Sequence, residues 1–166
     1  MAHPFEKLTA SDVMQTEIVT VEVTDNLLAA LDLMTEHHVS GLPVVDAENC
    51  CLGLISASDI LNYEQEHIVH SGEEAEKTAP YYNVEAGKWE DIRVSAFALE
   101  QRGSTPVVDI MTRKIISVSP ETPIAKVAAT MTANEVHRVI VLETGRQVCG
   151  LVSAVDFVQL IADLVD

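Results

Sequence analysis

The same short pattern occurs twice in this chain. Gly53-Leu54-Ile55-Ser56-Ala57-Ser58-Asp59 and Gly150-Leu151-Val152-Ser153-Ala154-Val155-Asp156 each set a serine three residues ahead of an aspartate, behind a glycine and two apolar residues. A serine at a helix N-terminus leaves backbone N–H groups facing outward, which suits an anion. An aspartate three residues later lies one turn up the same face. A fixed carboxylate accepts hydrogen bonds from two adjacent hydroxyls, such as the 2′ and 3′ hydroxyls of a ribose, and each charge-assisted bond is worth ~1.5–3 kcal/mol. The same spacing also makes a capping box with an acid at N3. Capping alone would explain one copy. Two copies in one register favour hydroxyl recognition.

The elements around these residues repeat as well. A shift of 97 residues, the separation of Gly53 and Gly150, lays the C-terminal third on the N-terminal third without a gap. Asp12-Val13-Met14 falls on Asp109-Ile110-Met111, Ile18-Val19-Thr20-Val21 on Ile115-Ile116-Ser117-Val118, and Met34-Thr35 on Met131-Thr132. Two copies are too few for a solenoid and make a pseudo-symmetric pair. Each copy opens with a β-branched run, Ile18 to Val23 or Ile115 to Val118, that reads as a strand. Apolar residues at helical spacing follow: Leu27, Leu28, Leu31 and Met34, then Ile124, Val127, Ala128 and Met131. Thr122 ahead of Pro123 reads as an N-cap with proline in the first helical position. Leu42 to Val45 and Cys51 to Ile55 predict two strands joined by a turn, as do Val139 to Leu142 and Val148 to Val152. A closing helix begins after Ser56 or Ser153. The order β-α-β-β-α predicts an α+β fold with helices on one face of each small sheet. One copy alone buries too little surface, so the two are expected to pack together, sheet to sheet.

The expected organisation is a first motif with its N-terminal segment over 1–62, an insert over 63–105 and a second motif over 106–166. The insert begins acidic, with Glu64, Glu66, Glu73, Glu74 and Glu76. Tyr81 to Val94 then reads as a β-hairpin with Gly87 in its turn. It can serve as a loop with an aromatic clamp, a partner or dimer surface, or a ligand lid.

Composition narrows the function classes. The 166 residues are 48% hydrophobic and 4% aromatic, so the core is aliphatic. A formal charge of -16 argues against nucleic acid or anionic membrane as partner, because a polyanion needs a basic footprint. No apolar run is long enough to span a membrane. Met1 to Ser11 lacks the apolar stretch of a signal peptide, and three cysteines, two of them adjacent, do not make a disulfide framework. A cytoplasmic protein with reduced thiols is expected. No G-x-S-x-G, H-E-x-x-H, G-x-x-x-x-G-K or G-x-G-x-x-G occurs, so no enzyme activity is expected. His67 and His70, near Glu64, could share a metal but read as a solvated face. His37 and His38 suit a helix C-terminus.

With Val39-Ser40-Gly41-Leu42-Pro43-Val44-Val45-Asp46, the duplicated motifs resemble a pair of CBS (cystathionine-β-synthase-type) domains, the Bateman module, over about 8–62 and 106–165. Val136-His137-Arg138-Val139-Ile140-Val141 is similar to the nucleotide-binding repeats of the γ subunit of AMP-activated kinase. The resemblance implies two clefts, each joining the Ser-x-x-Asp of one copy to the strand entrances of the other. One would combine Ser56 and Asp59 with Lys114, Ile115, Ile116, Val136, His137 and Arg138. The other would combine Ser153 and Asp156 with Thr20, Val39, Ser40 and Gly41. Apolar residues would sandwich adenine, and His137, Arg138 and Lys114 would meet phosphate. Since Gly41 stands where the second copy has Arg138, the Asp59 cleft is expected to prefer phosphorylated ligands.

The resemblance further implies an energy-sensing regulatory module for AMP, ADP or ATP, with Mg²⁺ accompanying ATP and no metal cage of its own. It would dimerise through Ile60-Leu61 and Phe157-Val158-Leu160-Ile161 and modulate a partner in trans. The alternatives are a purely structural or interaction protein, or another adenosyl ligand such as S-adenosylmethionine or NAD(H).

Overall fold

A computed structural model describes residues 4–66, 76–83, 88–95 and 104–163. The chain forms two compact units. One comprises Val19–Ala47 and Leu52–Lys114, and is built on the first repeat; the other comprises Met1–Ile18, Glu48–Cys51 and Ile115–Asp166, and is built on the second. The repeats therefore exchange their leading segments. Residues up to Ile18 fall in the second-repeat unit, and the stretch ending at Lys114 in the first.

In the first-repeat unit, β1 (Val21–Glu22), β2 (Gly41–Val45) and β3 (Cys51–Ser56) form a sheet in that order. β1 runs parallel to β2, with Val21 beside Val44. It is shorter than the run from Ile18 to Val23 predicted, although the Val23 N–H still donates to the Val45 carbonyl at 2.8 Å. Helix α2 (Leu27–His37) starts at Asn26, whose side chain accepts from the Ala29 N–H at 3.0 Å. It stops at His38, in the left-handed conformation at φ 53°. Its apolar stripe, Leu27, Ala30, Leu31 and Met34, is buried against Leu42, Val44 and Ile55 of the sheet. Helix α3 (Ala57–Glu66) follows β3 directly. Ile60, expected at a dimer interface, is 1% exposed and belongs to this core, so it is not available to a partner. Helix α4 (Val107–Ile110) closes the same core through Val107 and Met111.

The second-repeat unit has the same plan. β6 (Ser117–Val118), β7 (Arg138–Leu142) and β8 (Val148–Ser153) form its sheet, β6 parallel and β8 antiparallel to β7. Helix α5 (Ile124–Ala133) buries Ile124, Val127 and Met131. Its cap is Pro123, one residue later than expected. At ψ 138° Pro123 is extended and outside the helix, and the Thr122 hydroxyl instead accepts from the Ser119 N–H at 3.0 Å. Helix α6 (Ala154–Asp163) follows β8, and the leading helix α1 (Ala10–Val13) completes the core through Ala10.

Between the repeats, β4 (Glu76–Asn83) and β5 (Lys88–Ser95) pair antiparallel, Asn83 opposite Lys88. The expected turn at Gly87, and His67 and His70, lie outside the described residues.

Candidate functional site

Each serine and aspartate of the duplicated motif forms a closed local unit. The Ser56 N–H and hydroxyl both donate to Asp59 Oδ2, at 2.8 and 2.6 Å, and the Ser56 oxygen accepts from the Asp59 N–H at 3.2 Å. Ser153 and Asp156 repeat the first two bonds at 2.6 and 2.8 Å. The capping box foreseen from the spacing is thus present at the start of α3 and resembles the arrangement at α6. It engages one carboxylate oxygen, Oδ2, and leaves the other, Oδ1, outside the box. Both aspartates are half-buried.

The strand entrances sit beside these turns. Arg138 begins β7 opposite Ser153, and the Ala154 N–H donates to the His137 carbonyl at 2.9 Å. On the other edge of β7, the Ile140 N–H donates to the Ile116 carbonyl at 3.4 Å. Ile116, His137, Arg138 and the Ser153-x-x-Asp156 turn therefore gather at one end of one sheet. The first repeat matches this: the Ala57 N–H donates to the Ser40 carbonyl at 2.9 Å, and Gly41 lies against Ser56. Val39 and Thr20 lie near the same sheet end, ahead of β2 and β1.

Ser56, Asp59, Thr20, Val39, Ser40, Gly41 and Lys114 belong to the first-repeat unit, and Ile115, Ile116, Val136, His137, Arg138, Ser153 and Asp156 to the second. The antiparallel register of β7 and β8 sets the Arg138 backbone opposite Ser153 of its own repeat. Gly41 correspondingly faces Ser56. Lys114 is exposed at the end of the first-repeat unit.

Arg138 is the electrostatic feature of this sheet end. Its side chain is half-buried and has no hydrogen-bond or ion-pair partner among the described residues. Burial lowers its pKa below the ordinary guanidinium value, yet an arginine remains charged at neutral pH. A desolvated, unpaired cation is costly until an anion meets it. Among the described residues, no group of three or more His, Cys, Asp or Glu could hold a metal ion. No helix there is long and apolar enough to cross a membrane.

Two residues missed in the sequence touch the aspartates. Gln15 Nε2 donates to Asp156 Oδ1 at 2.9 Å, and the Thr112 hydroxyl donates to Asp59 Oδ1 at 3.2 Å. The only sequence signal was their matching place, one residue past Met14 and Met111.

Residues 10–66 and 107–163 each match the CBS domain. The chain belongs to the CBS domain family. It is 27% identical over 158 residues to the uncharacterized protein MJ1426 of Methanocaldococcus jannaschii, covering 93% of this chain and 91% of that one. Of three other curated relatives it spans only 23–31% of the length, so CBS pairs like this one also occur within longer chains. The fold is that of solved CBS pairs. The structure of CBSX2 in complex with AMP matches with a TM-score of 0.68 at 19% identity, covering 95% of this chain and 98% of that one. The CBS pair of MJ0100 in complex with 5′-methylthioadenosine and S-adenosyl-L-methionine matches with a TM-score of 0.63 at 21% identity, over 94% and 97% of the two chains.

Proposed function

We propose that this chain is a regulatory module that binds an adenine nucleotide, AMP, ADP or ATP, and changes its contacts with a partner protein in trans. The observation that carries this reading is the half-buried Arg138 guanidinium, without a partner among the described residues, in the strand register opposite Ser153 of the Ser153-x-x-Asp156 turn. An anion satisfies the guanidinium through short charge-assisted bonds, and Oδ1 of Asp156 takes ribose hydroxyls. Ile115, Ile116 and Val136 supply apolar surface for the base, and His137 adds a second polar contact. On this reading the phosphate preference lies on the Asp156 side. The Asp59 turn, with Gly41, Ser40, Val39 and Thr20, takes adenosine with less demand for phosphate.

The likeness to CBS pairs solved with AMP and with adenosyl compounds supports the ligand class. S-adenosylmethionine is the second reading, favoured at the Asp59 turn, which has no arginine at the position of Arg138. Mg²⁺ enters only as the counter-ion of a bound triphosphate. The module assembles as a homodimer through the exposed face of α6.

Isothermal titration with adenosine, AMP, ADP, ATP and S-adenosylmethionine tests the reading. AMP is expected to bind more tightly than adenosine in the parent and equally with it in Arg138→Met. Failure of all five to bind, or binding unaffected by both Asp59→Ala and Asp156→Ala, overturns it.

A further inference from the structure

The Oδ1 oxygen of each aspartate already has an occupant. Gln15 Nε2 donates to Asp156 Oδ1 at 2.9 Å and the Thr112 hydroxyl to Asp59 Oδ1 at 3.2 Å. These donors are related by the 97-residue shift that relates the repeats, and each comes from the leading segment exchanged into its unit. Their chemistry differs, amide against hydroxyl, while the bond to the acid is kept. A ribose hydroxyl aimed at Oδ1 meets that donor first.

We propose that Gln15 is a ligand-displaced latch on Asp156, which sets both the affinity of that site and its preference for a ribose diol; this rests on the nucleotide reading above. The backbone of Gln15 stays where it is. Its N–H donates to the Leu151 carbonyl at 2.9 Å and its carbonyl accepts from the Leu151 N–H at 3.0 Å. Met14, the residue before it, is seated over Gly150. Only the exposed side chain has to swing away, and its amide is then hydrated. The latch therefore holds the carboxylate oriented in the free protein and yields to a ligand that brings its own donor. At Asp59 the hydroxyl of Thr112 both donates and accepts. It can stay and share a ligand hydroxyl, so the latch there is the weaker one.

The test uses the full chain in an Asp59→Ala background, which leaves one site, with adenosine as probe. Gln15→Ala is expected to bind adenosine about fivefold more tightly, which is roughly 1 kcal/mol and the net worth of one exposed hydrogen bond. Binding of 2′,3′-dideoxyadenosine, which lacks both hydroxyls, is expected to change less than about twofold. In the parent, the Gln15 side-chain amide signals in a ¹⁵N NMR spectrum shift as adenosine is added. If adenosine binds and Asp156→Ala weakens it, but Gln15→Ala leaves affinity unchanged and the amide signals stay still, the latch is overturned and the nucleotide reading stands. If adenosine does not bind, or Asp156→Ala makes no difference, the nucleotide reading of this site fails and takes the latch with it.

Discussion

Met14 fills the space that a side chain at position 150 would need. A Cβ on Gly150 would meet the sulfur of Met14 and come within 2.7 Å of its Cγ and 3.0 Å of its Cβ. Met111 has the same relation to Gly53, with its sulfur at 2.8 Å and the Thr112 carbonyl oxygen also at 2.8 Å. The two glycines of the duplicated motif are therefore receptors for the methionines of Asp12-Val13-Met14 and Asp109-Ile110-Met111. Each pairing fastens a leading segment onto the sheet that ends in the Ser-x-x-Asp turn.

Gly150→Ala is accordingly expected to destabilise the protein by about 1–3 kcal/mol, the usual cost of overpacking. Urea denaturation measures it. Met14→Ala opens room at the same spot, so the double variant should be more stable than the sum of the two single losses. Strict additivity would show that Met14 is not what Gly150 accommodates. Gly53→Ala should cost at least as much, because the backbone carbonyl of Thr112 cannot rotate away as a side chain can.

The duplication was legible from the 97-residue register, and the structure extends it to single dihedral angles. His38 and Glu135, 97 residues apart, both sit at positive φ, 53° and 54°; Asn49 and Arg146 do so at 62° and 68°. The strands, helices and capping serines follow from alternation, spacing and turn chemistry, which are local. The exchange of leading segments was not legible, because a four-residue helix such as Ala10–Val13, with only Ala10 buried, carries no mark of which sheet it covers. Nor was the Gln15–Asp156 bond, since it joins residues 141 apart and its counterpart uses a different side chain. Arg138 was identified as a candidate by its neighbours in the chain. Its place opposite Ser153 depends on the register of β7 and β8, which only the paired strands supply.

Arg138 should trade stability for binding. Its guanidinium is desolvated and finds no partner among the described residues. Arg138→Met keeps the aliphatic bulk and removes the charge. The variant is expected to melt at a higher temperature than the parent, because an unpaired buried charge is lost. It should also bind AMP about tenfold or more weakly, in line with the worth of a charged hydrogen bond. Differential scanning fluorimetry and titration calorimetry read the two effects. A lower melting temperature would mean that the arginine is satisfied in the free protein.

Two titratable groups set opposite pH trends. The Asp12 carboxyl lies below its ordinary pKa, first because the Thr9 backbone N–H donates to it and then because the Thr9 hydroxyl does. A lowered carboxylate contributes stability above the ordinary carboxylate pKa and loses it as the pH falls through the folded value. Cys149 is raised, chiefly by burial and secondly by the charge of Glu143. The unfolded chain then loses that proton first, so this contribution is present below the ordinary thiol pKa and is lost as the pH rises through the folded value. NMR titration should find Asp12 restored towards the ordinary value in Thr9→Val. Alkylation should find Cys149 slow at neutral pH, with its rate rising only at more alkaline pH than for a free thiol. Fast modification at neutral pH would contradict the raised value.

The outer face of α6 predicts assembly. Val155, Val158 and Ile161 are 71, 64 and 59% exposed and recur every three residues, so they share one side of the helix. Phe157 and Leu160, on the opposite side, pack into the core of their own unit. The helix is therefore apolar on both sides, which a solvated surface helix is not. If a second copy covers the outer face, a charge placed there must be desolvated at a cost of several kcal/mol. Val158→Asp should convert a dimer into a monomer in light scattering at micromolar concentration. Its melting curve should otherwise stay close to that of the monomeric parent species, because an exposed position contributes little to the fold. A parent that is monomeric throughout this range, or a Val158→Asp variant that remains dimeric, would remove α6 as the contact.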